Sequence, residues 1–137
     1  MLDYKKEYER WAKADLLDFD LRRELDLISG NEEEIKEHFG VALEFGTAGI
    51  RGTLGVGTNR MNIFVVRQAT EGLARYILEE GLKKLVAISY DSRLKGWTFA
   101  KEVAQVLAAN GISVRLYDAL MPVPALSFAT RYYHCSA

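Results

Sequence analysis

Apolar positions recur at helical spacing through the first part of the chain. Tyr4, Tyr8 and Trp11 share one face, and Leu21, Leu25 and Ile28 share another, so residues 2 to about 39 read as two or three short helices rather than as part of a sheet. Gly30 stops a helix as a C′ residue. Asn31, with Glu34 three residues on, makes an N-cap and its capping-box partner, and Ile35 and Phe39 supply an apolar edge before Gly40. Residues 1–40 are therefore expected to form a helical leader that packs as a strap on the downstream domain.

From residue 63 onward the pattern changes. Val65, Ala69, Leu73 and Ile77 lie at i+4 steps with Val66, Ala74 and Tyr76 beside them, predicting a long helix over about 63–80, capped by Thr58 or Asn62 and closed by Gly81. Leu85 to Tyr90, LVAISY, is a short apolar run with β-branched residues, as in a strand buried on both faces. A second helix is predicted over about 97–110, with Phe99, Val103, Ala104 and Leu107 on one side and Asn110-Gly111 as its C-cap. Ile112, Val114 and Leu116 then alternate with Ser113, Arg115 and Tyr117, the period of a strand with one drier face. Pro122 and Pro124 interrupt regular structure, and Pro124 opens a helix running to about Tyr133.

Strand, helix, strand, helix implies parallel pairing through right-handed crossovers. The expected fold class is α/β, a three-layer α/β/α arrangement with a small mixed sheet preceded by the helical leader. His134 to Ala137 come after a helix, and an alternating chain should continue into another strand, so the sheet is expected to be incomplete with its last strand missing. An open edge of that kind recruits other chains, and the fragment is expected to self-associate through it.

Composition narrows the class only a little. With 49% apolar and 27% charged residues in 137, the chain is an ordinary globular domain or part of one. A net charge of −1, with no basic cluster denser than Arg22-Arg23 or Lys83-Lys84, argues against a nucleic-acid surface. No run approaches the apolar length that spans a bilayer, and the N-terminus lacks the apolar core of a secretion signal. The single cysteine, Cys135, cannot form an internal disulfide, so a reducing cytoplasm is the expected compartment.

The chemistry is concentrated in Leu43 to Asn59, LEFGTAGIRGTLGVGTN, where glycines at 46, 49, 52, 55 and 57 surround one cation, Arg51. Glycine lets backbone N–H groups approach a ligand, and an arginine fork suits a phosphate or carboxylate dianion. Thr47 adds a hydroxyl. A glycine-rich surface turn with a solvated arginine is the plainer alternative. No G-K-[ST] comes after the glycines, and the order G-x-x-G-x-G lacks the dinucleotide-binding spacing.

The run Phe45-Gly46-Thr47-Ala48-Gly49-Ile50-Arg51-Gly52 resembles the F-G-T-[SAG]-G-[IL]-R-G signature near the start of the α-D-phosphohexomutases, the phosphoglucomutase and phosphomannomutase family. Two further landmarks of that family occur in order, at Tyr90-Asp91-Ser92-Arg93 and at Pro122-Val123-Pro124-Ala125-Leu126. The acidic leader is most similar to the phosphoglucomutase/phosphopentomutase branch. The resemblance implies a truncated first α/β domain over 41–137 and a parent enzyme that interconverts sugar 1-phosphates and 6-phosphates, or pentose 1- and 5-phosphates. That chemistry runs through a phosphoserine and a bisphosphate intermediate, with Mg²⁺ and a sugar bisphosphate activator. It also implies that Arg51 is catalytic, that Thr47, Gly49, Arg51 and Arg93 bind substrate or phosphate, and that the small-molecule partner is a sugar phosphate. The family's phosphoserine, in a T-A-S-H-N-P segment, and its Asp-rich metal loop would lie downstream, so no metal ligand is expected in this chain and the fragment alone is expected to be inactive. The rival expectation is a non-catalytic α/β module that binds a phosphate-bearing ligand or a protein partner.

Other polar groups are weaker candidates for chemistry. Asp15, Asp18 and Asp20 with Arg22 resemble a D-x-D-x-D-R magnesium loop, but the third aspartate is replaced by Arg22, and Asp18 or Asp20 suits a helix N-cap. Asp91 and Arg93 lie just past the end of a strand, where α/β proteins bind ligands, although Asp91 could cap the next helix and Arg93 could pair with a carboxylate. Ser92 is the only serine at a plausible cleft position, flanked by Arg93 and Lys95. His38 is expected on a surface helix and His134 in solvent, neither suited to act as a base.

Overall fold

The computed structural model describes residues 2–15, 18–47 and 49–137. Leu16 and Leu17 of the acidic run, and Ala48 of the glycine signature, lie outside the described residues. The chain divides into two compact units, Met1–Val65 and Val66–Ala137.

The first unit contains three helices, α1 (Tyr4–Lys13), α2 (Phe19–Leu27) and α3 (Glu32–Phe39), and then a hairpin of β1 (Phe45–Gly46) and β2 (Gly49–Ile50). Each helix begins at an acceptor side chain. Asp3, Asp18 and Asn31 take the N–H groups of Lys6, Asp20 and Glu34, satisfying donors that have no partner within the helix. The Arg22 guanidinium donates to the carbonyls of Ala12 and Ala14 at 2.9 and 2.7 Å, closing the C-terminal end of α1. The predicted stripes are buried as Trp11 and as Leu21, Leu25 and Ile28. The Trp11 indole stands edge-on to Phe39 at 5.7 Å and to Phe64 at 5.2 Å, spacings favoured by the aromatic quadrupole.

Helix α4 (Ile63–Glu79) starts at the end of the first unit and lies mostly in the second. There it leads to β3 (Leu85–Ile88), α5 (Gly96–Ala109), β4 (Ser113–Leu116) and α6 (Val123–Tyr132). Strands β3 and β4 pair in parallel, Leu85 opposite Ser113 and Ile88 opposite Leu116. Val86, Ala87 and Ile88 are buried in succession, and since neighbours along a strand point to opposite faces, β3 is covered on both. Val86 and Ile88 pack with Ala74 and Ile77 of α4, Ala100 and Leu107 of α5, and Ile112. Ala87 points the other way, and α6 also packs on β3. This is the α/β class expected, with its strands arranged as two separate two-stranded sheets.

The edge of β3 away from β4 is not bare. Ser136 N–H donates to Leu85 O at 2.9 Å, Ala137 O accepts from Ala87 N–H at 2.9 Å, and Ser136 Oγ donates to Lys83 O at 2.6 Å. Residues 136 and 137 thus supply backbone partners to Leu85 and Ala87 on this edge of β3. Among the described residues, no helix is long and apolar enough to cross a membrane.

Candidate functional site

The glycine signature forms the β1–β2 hairpin, with Phe45 opposite Ile50 and Gly46 opposite Gly49. Thr47 lies exposed at its turn. Gly49 has φ +94°, in the left-handed half of the map that side chains disfavour, so the turn needs glycine there. Arg51 leaves the hairpin exposed, and among the described residues no hydrogen bond or ion pair holds its guanidinium. A free planar fork beside glycine N–H groups is an arrangement that can receive an oxyanion.

The chain after Arg51 is held from inside and outside. Inside, Met61 N–H donates to Thr53 O and Gly55 N–H to Met61 O. The buried Asn62 amide reaches the carbonyls of Gly55, Gly57 and Arg60, at 2.9, 2.9 and 3.2 Å, while its Oδ1 accepts from the N–H groups of Phe64 and Val65. One side chain thus caps α4 and closes the loop. Outside, Val56 is fully buried, its N–H donating to Glu24 Oε2 of α2 at 2.8 Å and its carbonyl accepting from His38 Nδ1 of α3 at 2.7 Å. Asn59 is tied to α3 through His38 O and Glu37 O, and Arg60 pairs with Glu37 at 2.8 Å, which holds the Glu37 carboxyl below its ordinary range.

His38 corrects the sequence reading. It is buried rather than on the surface, because the loop folds back over α3 and the imidazole fills the space beneath Val56. His134 is exposed as expected. The acidic run has a structural role. Asp18 caps α2, Arg22 is committed to α1, and among the described residues no group of three or more His, Cys, Asp or Glu could hold a metal. The described residues therefore do not fit Mg²⁺.

In the second unit, Tyr90, Asp91, Arg93, Lys95, Trp97 and Leu120 line an open depression of about 400 Å³ just beyond β3. The Asp91 carboxylate receives three contacts from the Arg93 side chain, at 2.8 to 3.1 Å, and the Arg93 N–H as well. Through these bonds Arg93 holds the Asp91 carboxyl below its ordinary range, and Asp91 raises the guanidinium. For Arg93 the arrangement present is the alternative reading, pairing with a carboxylate. Asp91 does not cap α5, which begins after Lys95 at φ 62° with no side-chain cap. Ser92 is exposed.

Sequence reasoning singled out Thr47, Gly49, Arg51 and Arg93, and it found Asn62 as a cap. It missed the loop bonds of Asn62 and the roles of Glu24 and His38. No local spacing signals a hydrogen bond between residues 32 positions apart.

Residues 42–137 match the family model described as phosphoglucomutase/phosphomannomutase, alpha/beta/alpha domain I. The chain belongs to this family. It is similar to the phosphoglucomutase of Staphylococcus saprophyticus, 42% identical over 106 residues, covering 77% of this chain and 19% of that protein. The phosphoglucomutase of Staphylococcus epidermidis is 41% identical over 105 residues, again 77% and 19% of the two chains. That of Staphylococcus aureus is 41% identical over 104 residues, 76% and 19%. The chain thus spans only 19% of the length of these curated relatives. No solved structure matches it. The alpha/beta/alpha description of the family's first domain agrees with the fold class found here, and the matched segment contains all four candidate site residues while leaving Glu24 and His38 outside.

Proposed function

We propose that this chain supplies the N-terminal, phosphate-recognising part of an enzyme that interconverts sugar 1-phosphates and 6-phosphates, or pentose 1- and 5-phosphates, through a phosphoserine and a bisphosphate intermediate. Residues 1–40 serve as its helical leader and 41–137 as the start of its first α/β domain. The observation that carries this reading is Arg51, exposed and without a partner among the described residues, beside a glycine turn in a chain of this family.

Phosphoryl transfer depends chiefly on positioning and on neutralising the three equatorial oxygens of the moving group. Arg51 is suited to that task, because two parallel N–H donors can face two phosphoryl oxygens while glycine N–H groups approach a third. Thr47 and Gly49 act as secondary donors at the turn. Arg93 is a further phosphate contact, one that must exchange or share the Asp91 carboxylate on binding. The nucleophilic serine, the Mg²⁺ ligands and the groups that select the sugar belong to other parts of the enzyme, and the bisphosphate is its activator. The cytoplasm is the compartment in which sugar phosphates and a lone thiol coexist most simply.

Two measurements test the reading. Titration of the chain with inorganic phosphate should shift the amide resonances of Thr47, Gly49 and Arg51, and Arg51→Ala should abolish those shifts. The chain alone, given glucose 1-phosphate, Mg²⁺ and a sugar bisphosphate, should show no turnover. Turnover would overturn the placement of the nucleophile elsewhere, and unmoved amides would overturn the phosphate assignment.

A further inference from the structure

We infer that Glu24 and His38, both in the leader and both outside the segment matched to the family, are positioning residues for the Arg51 loop. Each takes one of the two backbone polar groups of a single residue. Val56 N–H is held by the Glu24 carboxylate at 2.8 Å, and Val56 C=O by the His38 Nδ1–H at 2.7 Å. The carbonyl can only accept, so the imidazole proton lies on Nδ1. A hydrogen bond to an ionised carboxylate is among the stronger kinds, and this one is partly withdrawn from water.

The close packing around Val56 makes the grip specific. Gly55 has φ +154°, and a Cβ there would meet Glu24 Oε1 at 2.6 Å; Gly57 has φ +117°, and a Cβ there would collide with the His38 carbonyl. Backbone and leader thus approach as closely as glycine allows. Val56 is also the only residue in the loop's glycine-rich half, 51–57, whose side chain is buried, so the two bonds and that side chain together fix where the loop turns back toward Asn62. Arg51 begins this loop. An oxyanion site works by having its donors already aimed, and a misplacement of even about 1 Å weakens it severely. The leader therefore tunes the site through Val56 without touching the ligand, a role that rests on the phosphate reading of Arg51.

The test uses the chain with inorganic phosphate as probe, comparing wild type, Glu24→Ala and Glu24→Gln. Glutamine keeps a carbonyl acceptor for Val56 N–H, and alanine removes it. Glu24→Ala should weaken phosphate binding roughly tenfold, part of the about 100-fold that a misplacement of about 1 Å can cost, and should speed Val56 amide exchange while leaving the β3 amides protected. Glu24→Gln should restore both. A purely structural role would lower thermal stability without this selective loss and rescue. Unchanged phosphate affinity and Val56 exchange in Glu24→Ala would overturn the inference. If Glu24→Ala does not fold, the wild type still decides: Val56 should exchange as slowly as the Leu25 and Ile28 amides of the leader, and exchange at open-loop rates would refute the grip. If the wild type binds no phosphate, the proposed function fails, while the Val56 exchange data still judge the grip on its own.

Discussion

The Asp91 carboxylate and the Arg93 guanidinium, two residues apart, close on each other through a multiply bonded ion pair at the mouth of β3. The pair lowers the titration of Asp91 and raises that of Arg93. A carboxyl depressed in the folded state contributes stability above its unfolded pKa and loses that contribution as pH falls through the folded one. Carbon-detected titration should therefore place Asp91 below an ordinary aspartate, and Arg93→Ala should return it to the usual range. Both groups are exposed, so the accompanying change in stability should be small.

Replacing Arg51 by alanine in the complete enzyme should lower kcat/KM by about 100-fold or more, the scale of removing a transition-state donor. Lysine should recover little, because a point charge cannot make the two parallel bonds. Arg51 is exposed and unpaired among the described residues, so either change should alter folding free energy by less than about 0.5 kcal/mol. Steady-state kinetics and urea denaturation of the same samples separate the two effects.

Asn62→Ala should destabilise the first unit by about 2–4 kcal/mol, combining a lost cap with buried carbonyls left without donors. Its Oδ1 serves the start of α4, and its Nδ2 serves three loop carbonyls. Asn62→Asp is the informative control. It keeps the capping oxygens and loses the donors, so helix content by circular dichroism should survive while Gly55 to Arg60 amides exchange faster.

Gly57→Ala should cost about 2 kcal/mol or more, since the new methyl meets the His38 backbone at a φ that alanine resists. Gly49→Ala faces open space and only the strain of φ +94°, about 1 kcal/mol. Urea midpoints should show Gly57→Ala as the less stable of the two.

The elements were legible because they are written locally. The stripe through Leu73 and Ile77, the Asn31 and Asn62 N-caps and the C′ glycine at 111 all act over a few residues and appear as predicted, whereas Gly30 sits two residues past the Ile28 cap and the Asn31 N–H bonds the Ile28 carbonyl rather than the Glu34 side chain. The glycine turn and its arginine were legible because side-chain poverty around one cation is itself a pattern. The support of that turn was not. Whether His38 faces water or Val56 depends on where a loop returns after some 18 residues, and whether Glu24 is a surface charge or an acceptor depends on a contact 32 residues away. Periodicity carries no information at that range, and a histidine on a charged helix looks the same in either setting.

The setting of Trp11 gives the molecule an optical gauge of its own. The chain has two tryptophans. Trp11 is enclosed edge-on between Phe39 and Phe64, whereas Trp97 is 45% exposed. The first should emit at shorter wavelength and resist acrylamide, and the second should behave more nearly as free indole. Any event that peels α1 from α3 should weaken the blue component, so a fluorimeter can follow loosening of these helices.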